Sequence, residues 1–288
     1  MSLRGRYVID RVKRSLSPYL RLPVPPYGNP SYWEGAYLSL GPSDVYEWGH
    51  HSCSDLLNYE YTSQEYDPLV DTLSLAKSAK GKTKPRIATT LGETLQVQPA
   101  AKTDEPIIVL GCGNSEFGEH MLKAGWRGPF IQVDVAARAI ESMSHRCSAQ
   151  QQTGDMQFVQ DDATVLSAFS DNKAAAVFDK GLVDALFCAN EYQQCYSVMQ
   201  SVQRVLQPDR VFAFLSFSRP EFLMEQLLLP PDGVNKKNRK MAKNMWDDIQ
   251  VRKLDYIYLY RFQKASTTAT VRGGGSNASS SRKGRQRR

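Results

Sequence analysis

The run Pro106-Ile107-Ile108-Val109-Leu110 stops at Gly111-Cys112-Gly113 and turns polar at Asn114-Ser115-Glu116. Four consecutive apolar residues suit a parallel strand buried on both faces. Two glycines in three residues then let the backbone approach a ligand with no Cβ in the way. The pattern reads as strand, tight turn, helix start. A chain that carries it is expected to bury the strand inside a covered sheet and to leave the turn as a seat of nucleotide size. Glycine-rich strand ends are common, so the residues beyond the turn have to choose the ligand.

Strands and helices alternate from residue 106 onward, which points to an α/β fold with a parallel sheet covered by helices. Strands are expected at 130–134, 156–160, 174–178 and 210–218, with a closing pair at 249–254 and 256–262. Helices are expected at 115–124, with Asn114 or Ser115 as cap, and at 136–149, 190–206 and 220–229. The helix at 190–206 has the clearest apolar stripe, and Pro208 stops it. Upstream, Pro23, Pro25, Pro26 and Pro30 break regular structure before an aromatic segment, Tyr32-Trp33 with Tyr37 and then Tyr46-Glu47-Trp48. Trp33 and Tyr37 lie four apart and share a face if the segment is helical.

The organisation that follows is a basic arm at 1–29, one domain at 30–264 with a polar insertion at about 60–105, and a Ser/Gly/Arg tail at 265–288 that is too polar to pack. Charge has to be located before it is interpreted. The net +6 of the whole chain equals the +6 of residues 265–288, and residues 1–22 add +5, which leaves 23–264 at −5. The domain itself therefore does not call for a nucleic-acid partner, and only the tail offers a weak basic contact. Five cysteines with no C-x-x-C pair argue against a disulfide framework or a zinc site, and His50-His51-Ser52-Cys53 lacks a clear fourth ligand. No metal is expected. No run reaches the roughly 18 apolar residues of a membrane span, so no membrane partner is expected either. Reduced thiols suggest a cytoplasmic chain, and the Arg-rich start leaves a mitochondrial presequence as the alternative.

In an open α/β sheet the ligand lies at the carboxyl ends of the strands. Here those ends carry Gly111-Cys112-Gly113, Asp134, Asp162 and Asp179-Lys180. Asp134 follows Gly113 by 21 positions, close to the offset at which a carboxylate accepts hydrogen bonds from ribose hydroxyls. A dinucleotide site would want a third glycine where Glu116 stands, and Glu116 would place negative charge where a pyrophosphate binds. An adenosine without phosphates fits better. S-adenosyl-L-methionine meets that description, and its sulfonium cation suits carboxylates and aromatic faces.

Three segments carry a resemblance: Leu110-Gly111-Cys112-Gly113-Asn114-Ser115, then Val177-Phe178-Asp179-Lys180-Gly181 with Asp184-Ala185, and Arg204-Val205-Leu206-Gln207-Pro208. Together they resemble the class I methyltransferases, whose fold is a Rossmann-like, seven-stranded, mostly parallel sheet with a C-terminal antiparallel hairpin. With Tyr32-Trp33, Tyr37 and Tyr46-Glu47-Trp48 added, the chain is similar over about 30–264 to the eukaryotic protein-lysine methyltransferases of translation elongation factor 1-alpha. The resemblance implies that Trp33, Tyr37 and Trp48 close over the cofactor, that Gly111 and Gly113 meet it at the turn, and that Asp134-Val135 hold its ribose. It also implies that Asp162-Ala163 flank the adenine, that Lys180 contacts the cofactor, and that the partner is a protein substrate of the elongation-factor kind. Pro208-Asp209-Arg210 stands where the family has a glycine pair. Asp179 is the candidate for orienting the acceptor amine, with a helix cap or a surface ion pair as the alternative for both Asp179 and Asp184. An enzyme of the same fold acting on a small molecule, or a cofactor-binding scaffold, stays open beside the lysine reading.

Overall fold

The computed structural model describes residues 24–41, 44–48, 91–96, 105–126, 128–228, 245–254 and 257–266. The expected basic arm up to residue 23, His50-His51-Ser52-Cys53, most of the 60–105 insertion and the tail beyond 266 lie outside them. Among the described residues no helix is long and apolar enough to cross a membrane.

Seven strands form one sheet: β1 (Ile107–Leu110), β2 (Phe130–Asp134), β3 (Met156–Gln160), β4 (Ala174–Asp179), β5 (Leu206–Ser216), β6 (Trp246–Leu254) and β7 (Ile257–Lys264), in the order β3-β2-β1-β4-β5-β7-β6. The first five are parallel, and β7 and β6 close the sheet antiparallel. Leu110 lies opposite both Val133 and Asp179. That register aligns the carboxyl ends of β1, β2 and β4, so Gly111, Asp134 and Asp179 sit side by side where the strand order reverses.

Both faces of β1 are buried, as its unbroken apolar run requires. Ile108 and Leu110 join an apolar layer with α6 (Leu182–Cys188), α7 (Tyr192–Val205) and α8 (Pro220–Leu228). Ile107 and Val109 join the opposite layer, under α2 (Leu91–Leu95), α3 (Phe117–Lys123) and α4 (Ala137–Arg146). Each large side chain fully buried this way contributes about 1.5–3 kcal/mol. A first helix, α1 (Pro30–Leu38), lies outside both layers.

The differences from the sequence reading have local causes. The expected helix at 136–149 is two pieces, α4 and α5 (Ser148–Gln152), which meet at Cys147. No glycine or proline marks that break. It falls where Cys147 is drawn fully into the second layer while Arg146 reaches back to the glycine turn. Strand β5 starts at Leu206, not 210, because Gln207 to Arg210 form a bulge between the pairs Ala174↔Leu206 and Ala176↔Val211. Asp209 takes φ +63° there, a left-handed conformation reached without glycine. Helix α6 escaped notice because Leu-Val-Asp-Ala-Leu-Phe-Cys is nearly all apolar and shows no period. Part of the expected polar insertion is not solvated: Leu95 is fully buried, and the Thr94 carbonyl accepts a hydrogen bond from Arg261 Nε at 3.2 Å.

Candidate functional site

At the aligned strand ends lies a cavity of about 400 Å³. Its floor starts at the turn after β1. Gly113 has φ +52°, and its N–H donates to Asp134 Oδ2 at 2.8 Å. The other Asp134 oxygen accepts from Ala136 N at 2.9 Å. Burial pushes the Asp134 carboxyl up, and these two backbone bonds pull against it. The Val135 N–H is a third backbone donor to this carboxylate, which leaves about one of its roughly four acceptor sites for a ligand. Beyond β3, Asp162 accepts from Thr164 N at 2.8 Å and Asp161 accepts from Ala168 N at 2.9 Å, which fixes the loop that places Ala163.

The roof is built from residues 24–41 and 44–48. Helix α1 starts where Asn29 caps it, accepting from Ser31 N at 2.9 Å, with Pro30 in the first turn. Trp33 and Tyr37 do share a face, stacked at 6.1 Å and 26°, and the Trp33 indole donates to the Tyr27 carbonyl at 2.7 Å. Tyr27 belongs to the stretch expected as the basic arm, outside the domain, yet it is buried and stacks on Trp33 at 5.7 Å. Its edge meets Trp48 at the same centroid distance.

Roof and floor interlock through side chains. Asn114 Nδ2 donates to the Asp44 carbonyl at 2.7 Å, and Asn114 Oδ1 accepts from Tyr46 N at 2.9 Å. Glu47 accepts from Ser115 Oγ at 2.8 Å and from Glu116 N at 2.8 Å, and it pairs with Lys180. The Trp48 indole donates to the fully buried Asp184 at 3.0 Å. Gly181, at φ +126°, makes room for that indole, since a Cβ there would stand 2.5 Å from Trp48 Cγ.

All ten residues expected to bind a cofactor, Trp33, Tyr37, Trp48, Gly111, Gly113, Asp134, Val135, Asp162, Ala163 and Lys180, line this one cavity. Asp179 does not. It is fully buried, and its carboxylate accepts from Leu182 N at 2.7 Å and Val183 N at 2.9 Å, which caps α6. Asp184 is likewise interior: besides Trp48 it accepts from Ser216 Oγ at 2.6 Å, Phe217 N at 3.2 Å and Ser218 Oγ at 3.2 Å. The helix-cap alternative therefore describes Asp179, and neither side chain opens on the cavity.

Several participants escaped the sequence reading. Gln132 lines the cavity and is buried; its Oε1 has no hydrogen-bond partner. Arg146 donates to the carbonyls of Asn114 and Ser115, both at 2.9 Å, and braces the glycine turn from α4. Glu47 stood in plain view between two aromatic residues, but its partner Lys180 is 133 positions away, so no local pattern could flag it. Cys112 also lines the cavity; burial pushes its thiol well up, so it stays neutral and is no nucleophile. Among the described residues no group of three or more His, Cys, Asp or Glu is placed to hold a metal ion.

A sheet in this order, with a glycine turn, a β2-end carboxylate and a roofed cavity at its reversal point, defines a nucleotide-type ligand site on a Rossmann-like fold. The family model described as a methyltransferase domain matches residues 101–266, and the chain belongs to that family. The human eEF1A lysine and N-terminal methyltransferase is 31% identical to it over 125 residues. A Drosophila melanogaster homolog of that protein is 32% identical over 96 residues. Those matches span 42% and 33% of this chain, and 17% and 14% of the relatives' own lengths. Among solved structures, a SAM-dependent methyltransferase of Methanosarcina mazei has a TM-score of 0.41 at 15% identity, covering 58% of this chain and 95% of its own. One from Aquifex aeolicus has a TM-score of 0.39 at 12% identity, covering 57% and 84%.

Proposed function

We propose that the protein is an S-adenosyl-L-methionine-dependent methyltransferase whose acceptor is a lysine side chain of a protein, of the elongation-factor kind. The observation that carries the cofactor is the enclosure of one cavity between Asp134, at ribose offset from the glycine turn, and the faces of Trp33, Tyr37 and Trp48. The residues present fit the group. Asp134 keeps an acceptor site for a ribose hydroxyl, the aromatic faces suit a sulfonium cation, and Gln132 Oε1 is a buried acceptor awaiting a donor. When bound, the cofactor supplies an electrophilic methyl group on positive sulfur.

What remains for the chain is alignment and exclusion of water. The floor fixes the adenosine, and the roof covers it. A lysine ammonium, with an ordinary pKa of about 10.4, has to lose its proton before it can attack, and an apolar, water-poor roof favours the neutral amine. Asp179 contributes by fixing the loop that carries Lys180 and Gly181, without touching the amine. The lysine acceptor is supported by the names of the relatives and by the acidity of residues 23–264, which favours a basic protein surface over nucleic acid. A reducing, cytoplasmic compartment goes with this reading: among the described residues Cys112, Cys147 and Cys195 are buried thiols outside any disulfide.

The test supplies methyl-labelled donor with purified elongation factor 1-alpha, and maps the label by mass spectrometry. Label on a lysine, lost with Asp134→Ala, is expected. Label confined to an N-terminal amine or a small molecule overturns the acceptor, and absence of cofactor binding by calorimetry overturns the enzyme.

A further inference from the structure

Three consecutive residues of the roof each grip a different part of the floor. Tyr46 donates its N–H to Asn114, Glu47 reaches two turns at once, and Trp48 bonds Asp184 on α6. Glu47 differs from its neighbours in one respect. Tyr46 and Trp48 line the cavity, and Glu47 does not. Its carboxylate instead joins Ser115 and Glu116, in the turn after β1, to Lys180, in the turn after β4. These turns lie on either side of the point where the strand order reverses, because Leu110 and Asp179 are paired.

Burial pushes the Glu47 carboxyl up, but the Lys180 ammonium and the bonds from Glu116 and Ser115 outweigh it and hold the group below the usual carboxylate range. Glu47 is therefore ionised in the closed roof. Lys180 is itself mostly covered, with 8% of its side chain exposed.

We propose that Glu47 is a positioning residue, a latch that closes the aromatic roof by bridging the two turns that frame the cavity and that aims Lys180 at the ligand. Its effect on cofactor binding rests on the methyltransferase reading; its effect on the roof does not. Opening the latch frees Trp48 to leave the cavity and lets the Lys180 side chain turn to solvent.

The experiment uses the full chain and the variants Glu47→Gln, Glu47→Asp, Lys180→Met and the double variant Glu47→Gln/Lys180→Met, with melting temperature as the control for folding. Without ligand, hydrogen exchange in the peptide covering residues 44–48 is expected to quicken about tenfold or more in Glu47→Gln, since a charge-assisted bond is lost. Glu47→Asp is expected to recover part of the protection. With S-adenosylhomocysteine as probe, Glu47→Gln is expected to bind about tenfold more weakly than wild type, yet to cost no more than about twofold when Lys180 is already Met. Unchanged exchange at 44–48 together with unchanged affinity overturns the latch, as does a Glu47→Gln loss that persists in full beside Lys180→Met. If wild type binds no S-adenosylhomocysteine, the methyltransferase reading fails, and the exchange data still decide the latch.

Discussion

The floor of the cavity is held by bonds that each close over at most 32 positions, whereas the bonds that tie its roof to it span 68 to 136. Asp179 caps a helix three and four residues on, and Asp134 ties two turns 21 residues apart. Trp48 and Asp184 are 136 positions apart, and Glu47 and Lys180 are 133 apart. Asp134 and Asp179 in the floor take backbone N–H donors, which any sequence of this shape provides. The roof's anchors are particular side chains. Losing the roof's anchors removes none of the floor bonds made by Asp134 and Asp179.

The largest test of that difference is Asp184→Ala. Its carboxylate accepts at once from the roof, through Trp48, and from the end of β5, through Ser216, Phe217 and Ser218. Removing it takes a shared acceptor from all four donors, the fully buried Ser216 hydroxyl among them, so a loss of about 3 kcal/mol or more is expected in urea unfolding. A loss below about 1 kcal/mol would mean that roof and sheet are not joined there. A smaller effect, confined to the roof, is expected from Gly181→Ala. A side chain at φ +126° costs about 1–3 kcal/mol, and its Cβ would meet the stem of Trp48, not a movable tip. Ligand affinity is then expected to fall more than global stability, read by calorimetry beside thermal unfolding. Equal affinity in the variant would break the claim that Trp48 has to seat on Gly181.

The same contrast explains what the sequence could tell. The floor was legible because its signals are local: an apolar run that ends at Gly111-Cys112-Gly113, carboxylates at strand ends, and the Asp134 offset. The roof was legible only as an aromatic segment with a family resemblance. Its chemistry at Glu47, and the inward turn of Asp184, depend on pairings that no periodicity encodes. Helix α6 was missed for a related reason. Its start is marked by Asp179, three residues upstream, and a helix cap was only the alternative to reading Asp179 as a group that orients the acceptor amine. A carboxylate at the end of a strand can serve a ligand or the next helix. Only the direction of its oxygens, toward the cavity at Asp134 and into the α6 terminus at Asp179, separates the two.

A further effect follows from that last distinction and concerns pH. Burial raises the Asp179 carboxyl to about 7; the bonds from Val183, Leu182 and Gly181 pull it down, and the nearby Asp184 adds to the rise. In the unfolded chain the same group titrates near 3.9. Between about pH 4 and 7 the folded protein therefore holds a proton that the unfolded chain has released. Stability from this group is fully present below about pH 4 and is lost as pH rises through 7, with a slope of at most about 1.4 kcal/mol per pH unit. Asp179→Asn cannot titrate, so the difference in unfolding free energy between wild type and variant is expected to shift against wild type across that window and to level off above it. The bonds lost with the carboxylate shift the whole difference by a constant and leave its slope alone. Parallel curves from pH 4 to 7 would show Asp179 ionised throughout, which would mean that the α6 terminus outweighs burial and that the floor is bound by charge as firmly as the roof is by Glu47 and Lys180.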